Sequence, residues 1–85
     1  MPTVSRFFGI VVFLNYRDHE PPHFHARYGD DEVTVEITGG AVMGTMSKRA
    51  LRLVLEWADL NEAALMRNWE LARGHRALEP IPPLT

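Results

Sequence analysis

Three histidines, His19, His23 and His25, lie close together in the segment RDHEPPHFHARYG. His23 and His25 are two residues apart, and side chains at this spacing in a strand project from the same face. Two imidazoles on one face converge on a metal ion without bending the backbone, and the third ligand would come from His19, Asp18 or Glu20. The segment therefore predicts a metal site of His19, His23 and His25, with Zn²⁺ or another divalent transition metal as the ion.

Imidazole also suits acid–base catalysis, because it titrates near pH ~6.5. In this alternative His23 and His25 are the base and the acid of an RNA-cleaving site, and Glu36 orients one of the two rings. The phosphates would then contact five cationic side chains: Arg6, Arg27, Lys48, Arg49 and Arg52. A third interpretation gives the histidines no role beyond pairing with Glu36 and with backbone carbonyls on a polar face.

The strand that carries the histidines pairs with the next strand in a register set by residue parity. Two runs of alternating apolar and polar residues, 23–28 and 31–38, are separated by a Gly-Asp pair. A two-residue turn at this pair joins the apolar faces and sets His23 opposite Glu36. A four-residue loop would instead set His25 opposite Glu36. Either register puts a carboxylate beside the histidines.

A Gly-Gly pair follows and predicts a second two-residue turn. It leads into a strand over 41–45, in which Val42 would face Ile37. Including the β-rich run at the start of the chain, these segments predict four antiparallel strands in meander order.

The β-rich run extends from Arg6 to Tyr16, and both of its alternating faces are apolar. Such a strand is central in its sheet, or its second face contacts a partner. Phe7, Val11 and Phe13 on that second face are candidate partner-binding residues. Coverage of this face by the C-terminal PIPPL segment is the alternative.

The second half of the chain has a helical period. Ser47 is typical of an N-cap residue, a break near 59–62 favours two helices over one long helix, and Gly74 ends the second helix. The predicted fold is α+β: a four-stranded antiparallel meander followed by two C-terminal helices packed on one face. One domain would cover residues 1–76, and a proline-rich extended tail would cover 77–85.

The composition is that of one small folded domain, with 85 residues, 46% hydrophobic and 24% charged. Cysteine is absent, which excludes disulfides and thiolate zinc sites. A net charge of −2 argues against a generally basic nucleic-acid-binding chain. The longest apolar run, FFGIVVFL, is too short to span a bilayer, and the N-terminus does not have the pattern of a secretory signal. We therefore expect a cytoplasmic protein with no membrane contact.

The sequence resembles a short prokaryotic family known as domain of unknown function 4160. The resemblance covers the opening MPTVSRFFGIVV, the segment DHEPPHFHARYG and the closing RALRLVLEWADLNEAALMRNWELA, and the D-H-x-P-P-H-F-H motif is its most specific part. The matching residues are Arg6, Gly9, Asp18, His19, Pro21, Pro22, His23, His25, Trp57, Asn68 and Trp69.

Members of that family are commonly encoded beside a small protein of the domain-of-unknown-function 2442 family, in pairs regarded as toxin–antitoxin modules. The resemblance therefore implies a toxin-like component that binds an antitoxin-like protein encoded nearby. The hypothesis that this component binds or cleaves RNA rests on the histidines and cations named above. The alternative is a non-catalytic, histidine-rich module for metal binding or protein interaction, which includes self-association as a homodimer.

Overall fold

The fold consists of five strands and two helices. The computed structural model describes residues 1–85 of the chain. In chain order the elements are β1 (Thr3–Phe7), β2 (Ile10–Phe13), β3 (His23–Tyr28), β4 (Asp31–Glu36), β5 (Val42–Gly44), α1 (Lys48–Leu60) and α2 (Glu62–Arg73). The predicted α+β class, with an antiparallel sheet and two C-terminal helices, is confirmed.

The sheet has five strands, and the prediction of four is wrong. The strands lie in chain order, and each pairs antiparallel with the next. The apolar run from Arg6 to Tyr16 is not one strand, because Phe8 and Gly9 form a turn with φ angles of 49° and 81°. A phenylalanine rarely adopts a positive φ, so the apolar run contained little sign of a turn at this point.

The turn also changes the face on which Phe7 lies. Phe7 pairs opposite Ile10, and cross-strand partners project from the same face of a sheet. Its side chain is buried in the core, with its ring centroid 5.3 Å from that of Trp57. The prediction that Phe7 shares a partner-binding face with Val11 and Phe13 is therefore wrong.

The two faces of the sheet have different surroundings. One face, which we call the core face, packs against both helices, and its row Val12, Ala26 and Val33 is fully buried. The opposite face, which we call the open face, contacts α2 at one end, where the ring centroids of His23 and Trp69 lie 5.3 Å apart. It carries the row of paired residues Phe13, His25, Thr34 and Met43.

The register of the histidine-bearing strand is the one that the two-residue turn predicts. His23 pairs opposite Glu36, which confirms the parity argument. In the last strand Val42 pairs with Val35, not with the predicted Ile37. Because side chains alternate with a period of two, this two-residue displacement leaves every side chain of β5 on the expected face.

The helices begin and break where the sequence indicates. Ser47 caps α1, since its hydroxyl accepts the N–H of Ala50 at 3.2 Å. The chain breaks at Asn61, whose side chain donates to the Trp57 carbonyl at 2.8 Å and does not cap α2. Trp57 and Trp69 are buried between the helices and the core face. Neither helix has the length and apolar character that crossing a membrane requires.

The C-terminal segment 77–85 has no regular structure and is held by specific hydrogen bonds. The buried side chain of Asn68 donates to the Glu79 carbonyl at 2.8 Å and accepts the Glu79 N–H at 2.7 Å. The N–H of Ile81 donates to the carbonyl of Val4 at 2.8 Å. The segment therefore lies beside β1 and reduces the exposure of this edge strand.

Candidate metal centre

The loop between β2 and β3 brings Asp18 to the histidines of β3. Two contacts attach this loop to α2: the N–H of Arg17 donates to the carbonyl of Ala72 at 3.4 Å, and Glu20 forms an ion pair with Arg73 at 3.2 Å. These contacts come from residues more than 50 positions further along the chain. The position of Asp18 therefore depends on the packing of α2 and not on the loop sequence alone.

Both histidine rings of β3 direct the same nitrogen at one carboxylate oxygen. Nε2 of His23 lies 2.9 Å from Oδ2 of Asp18, and Nε2 of His25 lies 3.1 Å from the same atom. The three potential ligand atoms all lie within 4.8 Å of one another. Asp18, His23 and His25 are therefore close enough together to bind one metal ion.

The partner of the second ring nitrogen of His23, Nδ1, limits the protonation states that the ring can have. Nδ1 is 2.8 Å from the carbonyl oxygen of Pro21. A carbonyl only accepts hydrogen bonds, so Nδ1 carries a hydrogen. Nε2 then carries a second proton, which makes the ring cationic, or presents its lone pair to a metal ion. In metal-bound histidines the nitrogen away from the ion commonly donates to a carbonyl or a carboxylate in this way.

A second carboxylate, that of Glu32, lies behind the ring of His25. The ring stacks on Phe13 with centroids 5.0 Å apart, and its Nδ1 is buried without a hydrogen bond. Oε2 of Glu32 lies 3.4 Å from this Nδ1, while Arg27 contacts the other oxygen of Glu32 at 3.0 Å. A hydrogen on Nδ1 would be directed at Glu32, and that tautomer leaves Nε2 free to bind an ion.

The charge on Asp18 is set by opposing effects. Burial opposes ionisation of the carboxyl group, but hydrogen bonds from the His25 ring and the His19 N–H, together with the His23 ring, outweigh it. The pKa of Asp18 therefore lies below its ordinary value. The group is ionised at neutral pH, and the ionised carboxylate is the form that binds metals.

His19, the predicted third ligand, lies outside the cluster. Its side chain is 86% exposed, and its Nε2 is 3.8 Å from Oδ1 of Asp18. The backbone N–H of His19 donates to that same Oδ1 at 2.9 Å, and the ring nitrogen Nδ1 lies 3.2 Å from the Glu20 carbonyl oxygen. The short-range backbone contact turns the ring towards solvent. Asp18, and not His19, lies within ligand distance of both His23 and His25.

The cations predicted to contact phosphate are divided between the two layers of the fold. Arg6 is exposed on β1, and Arg27 on β3 is paired with Glu32. Lys48, Arg49 and Arg52 lie on α1, on the helical side of the sheet. These three side chains therefore do not surround the histidines, which are on the open face.

Of the predicted partner-binding residues, only Val11 offers partly exposed surface on the open face. It is half-buried, whereas Phe13 is buried between the His25 ring and the Arg27 guanidinium, which lies 5.1 Å from the Phe13 ring centroid. Phe13 therefore supports the histidine and is not a free docking surface.

A pocket of about 300 Å³ opens beside the cluster. It is lined by the three candidate ligands and, from the neighbouring strands, by Thr34, Glu36 and Met43. A larger pocket of about 600 Å³ lies between α1 and the end of β4; it shares Glu36 with the first pocket, Arg52 lines it, and no histidine does. The smaller pocket is the one that gives a bound ion access to solvent.

The comparison with protein families gives one match. Residues 9–70 match the family model described as Domain of unknown function (DUF4160). The chain belongs to this family. Searches of the curated proteins and of the solved structures gave no match.

The DUF4160 match contains all of the residues that form the candidate centre. Asp18, His23, His25, Glu32 and Glu36 fall within the matched range, whereas β1 and the segment 77–85 lie outside it. The resemblance of the sequence to the DUF4160 family is thus confirmed.

Glu32 is the residue of the centre that the sequence analysis missed. The register that sets His23 opposite Glu36 also sets Glu32 opposite Arg27, and these two side chains form an ion pair. The sequence did contain a signal for this contact. On one face of two paired strands, a long side chain such as glutamate reaches the residue diagonally across from it. Glu32 has this diagonal relation to His25.

Proposed function

We propose that the protein binds one divalent transition-metal ion through Asp18, His23 and His25. The observation that carries the proposal is the orientation of the two rings. Each Nε2 faces Oδ2 of Asp18, at 2.9 and 3.1 Å, while each Nδ1 faces an oxygen atom on the far side of its ring. The Pro21 carbonyl behind His23 fixes the tautomer in which its Nε2 is the ligand atom, and the nearby Glu32 carboxylate favours the same tautomer of His25.

The donor set and its dimensions suit an ion such as Zn²⁺. Two imidazole nitrogens and one carboxylate oxygen are common ligands of Zn²⁺ and of neighbouring divalent transition metals. Ligand atoms at ~2.0–2.1 Å from a tetrahedral ion lie about 3.3 Å apart. The nitrogen-to-oxygen distances of 2.9 and 3.1 Å are within a few tenths of an ångström of that spacing.

The number of ligands also bears on function. Structural zinc sites have four protein ligands, whereas catalytic sites use three and keep a position open for water or substrate. Three ligands and an adjoining pocket support an open site of the second kind.

RNA cleavage by the histidines alone has less support than metal binding. Two rings bound to one carboxylate are not a separate base and acid, and the cations of α1 lie in the helical layer, away from these rings. The toxin-like role, with a small partner protein encoded nearby, stays a prediction that rests on the family resemblance.

The test is a titration of purified, untagged protein with Zn²⁺ by isothermal calorimetry, combined with thermal unfolding. We expect one ion per chain. At a free Zn²⁺ concentration 100 times the Kd, the ion would stabilise the fold by about 2.7 kcal/mol. For a domain of this size each kcal/mol raises Tm by about 4–8 °C, so the expected increase is roughly 10–20 °C.

His19→Ala is the matched control, because it removes a neighbouring histidine that lies outside the cluster. It should bind Zn²⁺ like the wild type, whereas His25→Ala should not bind. A folded wild-type protein that takes up neither Zn²⁺, Co²⁺, Ni²⁺ nor Mn²⁺ would show that Asp18 merely pairs with protonated histidines. Equal loss of binding in His19→Ala and His25→Ala would contradict the assignment of the ligands.

A further inference from the structure

We propose that the pocket beside the metal centre takes a small uncharged acyl compound, an ester or an amide, and that Glu36 accepts the proton of the water that hydrolyses it. This inference rests on the proposed metal binding. It assigns a substrate class to the pocket and a chemical role to a carboxylate that is not a ligand.

The sheet register places Glu36 next to the centre. Glu36 pairs directly opposite His23, Thr34 pairs opposite His25, and all four residues line the same pocket of about 300 Å³. Directly opposed residues of antiparallel strands have Cβ atoms about 4.5–5.5 Å apart. A glutamate side chain at this position reaches a water molecule on the open side of an ion held by His23 and His25.

Glu36 is the one carboxylate around the pocket that has no partner of its own. Asp18 is bound by the two rings, Glu32 by Arg27, and Glu20 by Arg73. The side chain of Glu36 is half-buried and makes neither a hydrogen bond nor an ion pair. An unpaired carboxylate facing a bound ion is available to act as a general base.

The charges of the pocket select an uncharged substrate. Neither lysine nor arginine lines it, and Arg27, the nearest cation of the open face, is paired with Glu32. Glu36 would repel a phosphate or a carboxylate that approached the ion. The remaining wall includes Pro21, Ala41 and Met43, which suit the apolar part of a small ester or amide.

The reaction balances without a further reagent. A metal ion held by Asp18, His23 and His25 would supply a Lewis acid for the acyl carbonyl and for the attacking water. A bond forms between the water oxygen and the acyl carbon, and Glu36 takes the proton that the water loses. The bond from the acyl carbon to the leaving oxygen or nitrogen then breaks, and the leaving group receives that proton.

The experiment uses the full chain loaded with Co²⁺, whose visible spectrum reports on the ligands around the ion. The variants are Glu36→Gln and, as a matched control, Glu56→Gln, which changes an exposed glutamate of α1. Three quantities are measured for each: the Kd for Co²⁺, the spectral change on addition of acetohydroxamic acid or inorganic phosphate, and the hydrolysis of p-nitrophenyl acetate.

We expect all three proteins to bind Co²⁺ with the same Kd and the same spectrum. Acetohydroxamic acid, which chelates the ion and donates a proton to a neighbouring base, should change the spectrum of the wild type and of Glu56→Gln. It should bind at least tenfold more weakly to Glu36→Gln, and phosphate should leave all spectra unchanged. Ester hydrolysis should fall by about 10²–10⁴-fold in Glu36→Gln alone, the usual contribution of a general base.

The outcomes separate this inference from the metal site. If Co²⁺ does not bind to the wild type, both proposals fail. If Co²⁺ binds normally but Glu36→Gln weakens it tenfold or changes its spectrum, Glu36 is a fourth ligand and the general-base role is wrong. A third outcome is that Co²⁺ binds equally to all variants but acetohydroxamic acid leaves the spectrum unchanged, or phosphate binds more tightly than acetohydroxamic acid. In that case the proposed substrate class is wrong and the metal site stands.

Discussion

Replacing Glu32 by alanine should weaken metal binding far more than it weakens the fold. The buried Nδ1 of His25 has a single oxygen atom in front of it, Oε2 of Glu32 at 3.4 Å. When Nε2 binds the ion, Nδ1 carries the hydrogen, and without Glu32 this hydrogen would lose its acceptor. Removal of such a partner typically lowers metal affinity by about 10–100-fold, which corresponds to roughly 1.4–2.7 kcal/mol.

The metal-free protein should be much less affected. The Arg27–Glu32 pair is 42% and 41% exposed, and ion pairs of this kind stabilise a fold by about 0.2–1 kcal/mol. The change in Tm in the presence of EDTA should therefore stay below about 8 °C. Metal affinity is measured by competition with a chromophoric chelator, and the free energy of unfolding by circular dichroism with EDTA.

Arg27→Ala is the control for Glu32→Ala. Both variants break the same ion pair, but only Glu32→Ala removes the oxygen atom behind His25. Affinity for Zn²⁺ should therefore fall in Glu32→Ala and stay near the wild-type value in Arg27→Ala. If Glu32→Ala binds Zn²⁺ as tightly as the wild type, the tautomer argument for His25 is refuted.

Three further predictions concern stability. Asn68→Ala removes two hydrogen bonds of 2.7 and 2.8 Å to the backbone of Glu79 and should lower the free energy of unfolding in urea by about 2–4 kcal/mol. Asn68→Asp keeps the acceptor of the Glu79 N–H but sets a buried carboxylate oxygen against the Glu79 carbonyl oxygen, so its stability should fall by at least as much. The pKa of Asp18 is lowered by folding, so its ionised carboxylate stabilises the metal-free protein. This stabilisation should be present above about pH 4 and should be lost as the pH falls through the folded-state pKa. The free energies of unfolding of wild type and Asp18→Asn should therefore converge in acid, and a difference that stays constant with pH would contradict this. Gly44 has a φ of 99°, and a Cβ added there would meet a backbone oxygen of β4 at 2.5 Å. Gly39 has a similar φ of 89° but open space around it, so Gly39→Ala should cost only the backbone strain of about 1–2 kcal/mol. Gly44→Ala should therefore destabilise the fold more than Gly39→Ala, and equal melting temperatures would contradict this.

The fold was predicted correctly where residues a few positions apart in the sequence determine the structure. The β3–β4 register was predicted residue by residue, because alternation on both strands and a Gly-Asp turn admitted few pairings. The β1–β2 hairpin was missed for the opposite reason. Its turn uses Phe8 at a positive φ within an apolar run, and the sequence offers Gly9 as the sole indication of a turn there.

The candidate centre was predicted only in part. His23 and His25 were placed on one face, with Glu36 opposite, because their positions follow from strand geometry. The third ligand was predicted to come from His19, Asp18 or Glu20, with His19 in the predicted site, because strand geometry does not set the conformation of the loop that carries these residues. Asp18 has that position because its side chain is directed inward while the His19 ring is exposed.

The sequence alone determined which residues of each strand share a face, where the helices begin and break, and that two histidines would project together from the sheet. These properties depend on neighbours a few positions away, so alternation, turns and caps are enough to set them. Only the tertiary structure decided that Asp18 is the carboxylate that both histidine rings share. Arg17 contacts Ala72 and Glu20 contacts Arg73, both on α2. These two long-range contacts hold the loop so that Asp18 lies beside the histidines of β3.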